Sequence, residues 1–120
     1  MSKQTLVIGA SLNESRYSNI AIHKLKANNY HVEAIGLKKG IVSNVVVNTE
    51  KKVFENIDTI TMYLSPINQK QFYNYIVDLN PSRVIFNPGT VNEEFINFLK
   101  KNKISTEIAC TLVLLSTNQY

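Results

Sequence analysis

Cysteine, glycine, proline and tryptophan are all scarce in this 120-residue chain, with one, four, three and none respectively. The single thiol, Cys110, closes no internal disulfide and is too little for a zinc site, which excludes a disulfide scaffold and fits a reducing compartment. Long apolar runs are missing too. Leu112 to Leu115 is among the longest and falls far short of a membrane span, and the opening Met-Ser-Lys-Gln carries no signal-peptide pattern. The expectation is a cytoplasmic protein away from the membrane. No Ser/His/Asp arrangement or nucleophile elbow is visible. His23 and His31 fall inside a predicted helix and at a predicted strand start, and neither falls at a strand end, so both read as surface or spacer residues.

What is present fits one domain over residues 1–120, because 44% hydrophobic residues in a chain of this length suffice for a single core and leave no segment for a second. Thirteen basic residues face nine acidic ones, giving a net charge of +4. The lysines come in small groups, Lys24/Lys26, Lys38/Lys39, Lys51/Lys52 and Lys100/Lys101/Lys103, not as a long stripe interleaved with aromatics. That pattern speaks against nucleic acid and suits solvated surfaces or an anionic small molecule.

Apolar periodicity alternates between strand and helix. Strands are predicted at Thr5–Ile8, Tyr30–Ile35, Thr59–Leu64, Arg83–Phe86 and Ile104–Ala109. Helices are predicted at Ser18–Asn28 with Ser18 as N-cap, at about Asn68–Leu79 with Phe72, Tyr75, Ile76 and Leu79 on one face, and at Asn92–Lys101 with Phe95, Ile96 and Leu99 inward. A short last helix is expected from Thr111. Between Leu37 and Asn56 the pattern weakens: a turn at Lys38-Lys39-Gly40, an edge strand at Val45–Val47 and one helical turn at Lys51–Asn56 are the readings. Strands alternating with helices over short connections predict a Rossmann-like, doubly wound α/β domain. Its five-stranded, mainly parallel sheet is expected in the order 3-2-1-4-5 with helices on both faces.

Ligands of such sheets sit beyond the carboxyl ends of the strands, where the strand order reverses. Three ends are candidates: Gly9-Ala10-Ser11, Ser65-Pro66 and Asn87-Pro88-Gly89. The first carries the most chemistry. An apolar strand stopping on glycine and turning into a helix start aims backbone N–H groups at a phosphate. Arg16, just ahead of the helix, is suited to hold that phosphate bidentately, and Ser11 and Ser18 add hydroxyls to their turn and cap roles. The two later glycines of the dinucleotide fingerprint are absent, and the second strand ends in Gly36-Leu37-Lys38-Lys39 where an NAD site wants a carboxylate. A lysine there, Lys38, favours a ligand with an extra phosphate, such as coenzyme A or NADP.

These residues resemble the stand-alone coenzyme A-binding domain proteins, related to the nucleotide-binding domain of the succinyl-CoA synthetase alpha subunit. The resemblance rests on Gly9-Ala10-Ser11 after the first strand, on Arg16-Tyr17-Ser18 at the first helix, on Asn87-Pro88-Gly89 followed by Asn92-Glu93-Glu94, and on Cys110 after the fifth strand. The chain departs from the family at Ile35-Gly36-Leu37, where members carry a V-N-P-like turn, and at Ile85-Phe86. The resemblance implies a binding module for coenzyme A or an acyl-CoA without catalysis of its own, with the Pro66 turn packing near the adenine. An NADP-type oxidoreductase and a partner-binding subunit with a vestigial site are the alternatives. A ligase of the related kind needs further domains for which this length has no room. Cys110 reads as a buried small hydrophobe, and Glu93 and Glu94 as stabilisers of a helix start.

Overall fold

Along the first strand, β1 (Gln4–Ala10), successive side chains go to opposite faces, and both faces are buried. Leu6 and Ile8 enter one apolar cluster, and Val7 and Ala10 enter another on the far side. A strand without a solvent face belongs at the centre of a sheet, and the computed structural model, which describes residues 4–120, places it there. Met1 to Lys3, part of the opening read for a leader, lie outside the described residues.

The further strands are β2 (His31–Gly36), β3 (Gly40–Val42), β4 (Val45–Asn48), β5 (Thr59–Met62), β6 (Arg83–Phe86) and β7 (Ser105–Ile108). They form one seven-stranded sheet in the order β3-β4-β2-β1-β5-β6-β7, parallel except for the β3–β4 pair. The Rossmann-like α/β class is therefore as expected, while the strand count and order are corrected. The strand at Thr59, expected outside the second strand, pairs instead with β1, Leu6 beside Ile60 and Ile8 beside Met62. The outer place beside β2 goes to β4, the strand read as an edge, because Gly40–Val42 folds back on it. Ser43 and Asn44, the two turn residues, both have positive φ, 48° and 64°, which suits a tight hairpin.

The helices are α1 (Tyr17–Ala27), α2 (Pro66–Gln69), α3 (Tyr73–Leu79), α4 (Glu93–Lys101) and α5 (Thr111–Ser116). Ile22 and Leu25 of α1 and Leu115 of α5 pack on the Val7 face, whereas Ile76 of α3 and Phe95, Ile96 and Leu99 of α4 pack on the Leu6 face. The helix expected over residues 68–79 is broken into α2, a 3-10 turn at Lys70–Phe72 and α3. No helical turn forms at 51–56; that stretch is irregular, and it and the residue after it bring Phe54 and Ile57 to the Leu6-side core. None of the helices among the described residues is long and apolar enough to cross a membrane.

From β1 the chain winds through α1 to β2 on one side, and from β5 it winds through α3 and α4 to β6 and β7 on the other. The winding direction therefore reverses between β2 and β5, around β1. At that reversal the loops leaving neighbouring strands diverge to opposite faces and leave a crevice.

Candidate functional site

The crevice is a cleft of about 670 Å³. Its floor is set by a backbone feature that only glycine accommodates. Gly9 has φ +94°, and a β-carbon there would stand 2.9 Å from the carbonyl carbon of Tyr63 and 3.0 Å from the amide nitrogen of Leu64. The β1–β2 register slips by one residue at the same point, between Ile8 and Ala10. Gly36 fits still more tightly, since a β-carbon there would lie 2.3 Å from the Ala10 carbonyl oxygen.

From this floor the Ser11–Arg16 loop rises to α1 on a chain of local hydrogen bonds. The Ser11 hydroxyl accepts from the Asn13 N–H (3.1 Å), and the Asn13 side chain accepts from the Ser15 N–H (3.0 Å) and hydroxyl (2.8 Å). Beneath it Asn19, buried in α1, donates to the Ser11 carbonyl oxygen at 2.9 Å. The helix cap lies two residues earlier than expected. Arg16 is the extended N-cap, and Ser18, expected as the cap, is buried in the first turn. No side chain caps this end and no acidic residue sits in its first turn, so the positive end of the dipole opens on the cleft uncompensated.

Seven of the residues singled out in the sequence line this one cleft: Gly9, Ala10, Ser11, Arg16, Tyr17, Ser18 and Lys38. The other five do not. Ser65 and Pro66 are exposed as the N-cap and first residue of α2, with the Ser65 hydroxyl accepting from Asn68 at 3.0 Å. Pro88 and Gly89 are exposed on the next loop, and Asn87 is 1% exposed with its amide committed to the protein. Its Nδ2 donates to the Thr61 hydroxyl (2.7 Å) and the Met62 carbonyl (2.8 Å), and its Oδ1 accepts from the Thr111 N–H (2.8 Å). Asn87 thereby ties β5, the end of β6 and the start of α5 together. Cys110, expected to be buried, is only half-buried, as the residue preceding α5.

Sequence reasoning missed the opposite wall, made by Tyr63, Leu64, Asn68, Gln71 and Phe72, and the contribution of Thr49 and Lys51. The rule that sites lie at strand ends points to this region, but the predicted strand runs on to Leu64 where β5 ends at Met62, so Tyr63 and Leu64 read as strand and the exposed Ser65-Pro66 stands as the candidate, between the lining residues on either side of it. Thr49 and Lys51 sit in the stretch where the pattern weakens; Thr49 gives no signal, and Lys51 stands out only as one of the paired lysines.

Three cationic side chains, Arg16, Lys38 and Lys51, line the cleft, and no Asp or Glu does among the described residues. Tyr63 adds no negative charge near neutrality: burial pushes its phenol up to about 12, partly offset by the Thr61 hydroxyl. Phosphate-bearing ligands are what such a lining suits, with N–H groups and a guanidinium at one end and lysines along the sides.

Fold and cleft together define a Rossmann-like domain with an anion-suited crevice at its switch point. The chain belongs to the CoA binding domain family, whose model matches residues 3–116. Among solved structures it is similar to an uncharacterized protein at 43% identity and a TM-score of 0.96, covering 100% of this chain and 99% of that one. It is also similar to the cell-free ID.343 protein of Thermus thermophilus, at 19% identity and TM-score 0.88 over 99% of this chain and 91% of that one. A conserved hypothetical protein of Pyrococcus furiosus shares the fold at 23% identity and TM-score 0.77, over 89% and 92% of the two chains. No curated protein matches the sequence.

Proposed function

We propose that the protein binds coenzyme A or an acyl-CoA in the cleft and carries out no catalysis of its own. The observation that carries this reading is the charge of the lining, which among the described residues holds three cations and no carboxylate around an uncapped helix N-terminus. Coenzyme A brings a pyrophosphate and a ribose phosphate, so its charge matches the lining better than that of NAD, which has the pyrophosphate alone. In this reading the N–H groups of Tyr17 and Ser18 and the guanidinium of Arg16 hold the pyrophosphate over the Gly9-Ala10-Ser11 turn, and Lys38 takes the ribose phosphate. Asn68 and Gln71 on the opposite wall offer side-chain amides to the two amides of the pantetheine arm.

Family membership supports the ligand class. An NADP-type oxidoreductase shares the extra phosphate and is the second reading, favoured only by Lys38 at the end of β2. Native mass spectrometry of the protein, purified without added nucleotide and then mixed with equal concentrations of coenzyme A and NADP, separates the two. The expected spectrum shows the coenzyme A adduct in excess. An NADP adduct in excess overturns the reading.

A further inference from the structure

We infer that Lys51 is a phosphate ligand of this cleft, its side chain exchanging a contact on the cleft wall for a phosphate oxygen. The inference rests on the coenzyme A reading and deepens it. Lys51 lies in the irregular crossover between β4 and β5, which passes from one rim of the sheet to the other. Its ammonium lines the cleft, yet among the described residues it forms no ion pair. It donates instead to the main-chain carbonyl of Gln71 and sits 5.0 Å from the centre of the Phe72 ring, both on the opposite wall. A neutral carbonyl and a ring face hold an ammonium less strongly than an ionised phosphate does.

The backbone beside it is fixed, so the side chain moves without the crossover. The Tyr75 hydroxyl donates to the Lys52 carbonyl oxygen, and Phe54 packs against the buried core under α3. Four rotatable bonds then separate a fixed main chain from the charged end, which is free to exchange the Gln71 carbonyl for a phosphate oxygen placed in the cleft. Lys51 thereby completes the ring of charge from the side that Arg16 and Lys38 leave open.

The test is titration calorimetry of the wild type, Lys51→Met and Lys51→Arg with coenzyme A and with dephospho-coenzyme A, alongside melting curves without ligand. Methionine keeps an unbranched apolar stem against Phe72 and removes the charge. The expected result is a loss of about 10-fold in coenzyme A affinity for Lys51→Met, partly restored in Lys51→Arg, with little change in melting temperature. An equal loss on dephospho-coenzyme A assigns the pyrophosphate to Lys51, and a loss confined to coenzyme A assigns the ribose phosphate. Wild-type affinity of Lys51→Met for both ligands overturns the inference, as does a loss that arginine does not repair at all. Failure of the wild type to bind coenzyme A overturns the parent reading instead.

Discussion

Gly9 and Tyr63 touch backbone to backbone: a β-carbon on Gly9 would lie 2.9 Å from the Tyr63 carbonyl carbon, at the point where β1 and β5 leave the sheet. The glycine that opens the proposed phosphate loop is thus also a packing requirement of the fold. Gly89 gives the control, with a similar φ of +87° and nothing within 4 Å of its would-be β-carbon. Left-handed strain alone costs about 1–3 kcal/mol, so both alanine variants lose stability in urea denaturation, and Gly9→Ala loses clearly more. Equal losses at the two positions would show that the contact with Tyr63 is harmless. Gly9→Val, the larger insult, is expected to lose coenzyme A binding together with its cooperative melt.

Asn87 is expected to matter for stability and not for direct ligand contact. Truncation to alanine leaves the Met62 carbonyl and the Thr111 N–H without their partner, at about 1–3 kcal/mol for each buried group left unmade. Asn87→Asp is expected to fail as well, since an ionised carboxylate accepts from Thr111 but donates nothing to Met62. The check pairs a denaturation curve with a coenzyme A titration on the folded protein. A fully stable Asn87→Ala that has lost the ligand would place this side chain in the site after all.

Arg16 behaves in the opposite way. It is exposed, and its side chain caps nothing, so Arg16→Ala is expected to leave the melting temperature within a degree or two. A charge-assisted phosphate contact is worth about 1.5–3 kcal/mol, so coenzyme A affinity falls about 10-fold or more. Unchanged affinity would put Arg16 outside the site.

Much of this was legible in the sequence because its signals were local. The buried strand into Gly9, the helix opening at Asn92 with Glu93 and Glu94 in its first turn, and the inward Phe95, Ile96 and Leu99 each follow from spacing and propensity over a few residues. Strand order was not legible, because it depends on which strands neighbour β1. The small hairpin of Gly40–Val42 and Val45–Asn48, turning on Ser43 and Asn44, carries too few residues to display its period. For the site, the wall built from one continuous loop, Gly9 to Ser18, was readable. The wall that combines Lys51 with Gln71 and Phe72 depends on a contact across twenty positions. Asn87 looked like a ligand residue because a polar turn at a strand end serves either a ligand or the fold, and only the positions of Thr61, Met62 and Thr111 decide between them.

Alkaline pH is expected to destabilise the fold through its tyrosines. Burial pushes the phenols of Tyr63 and Tyr75 from 10.0 up to about 12. Between those values the unfolded chain has released protons that the folded chain retains, so stability falls as pH rises. Below about pH 10 the contribution is intact. Melting temperatures recorded from pH 8 to 11.5 are expected to fall more steeply above pH 10 for the wild type than for Tyr63→Phe. Parallel curves would mean that the Tyr63 phenol titrates as freely in the folded protein as in the unfolded one.

In the proposed function the cleft selects a nucleotide with a pyrophosphate and an additional ribose phosphate. Isothermal titration of the wild-type protein with coenzyme A and with NAD, in the same buffer and at the same concentrations, tests it most directly. The expected result is saturable binding of coenzyme A with affinity at least about 10-fold above that of NAD, the worth of one charge-assisted phosphate contact. Equal affinity for the two, or tighter binding of NAD, would contradict it.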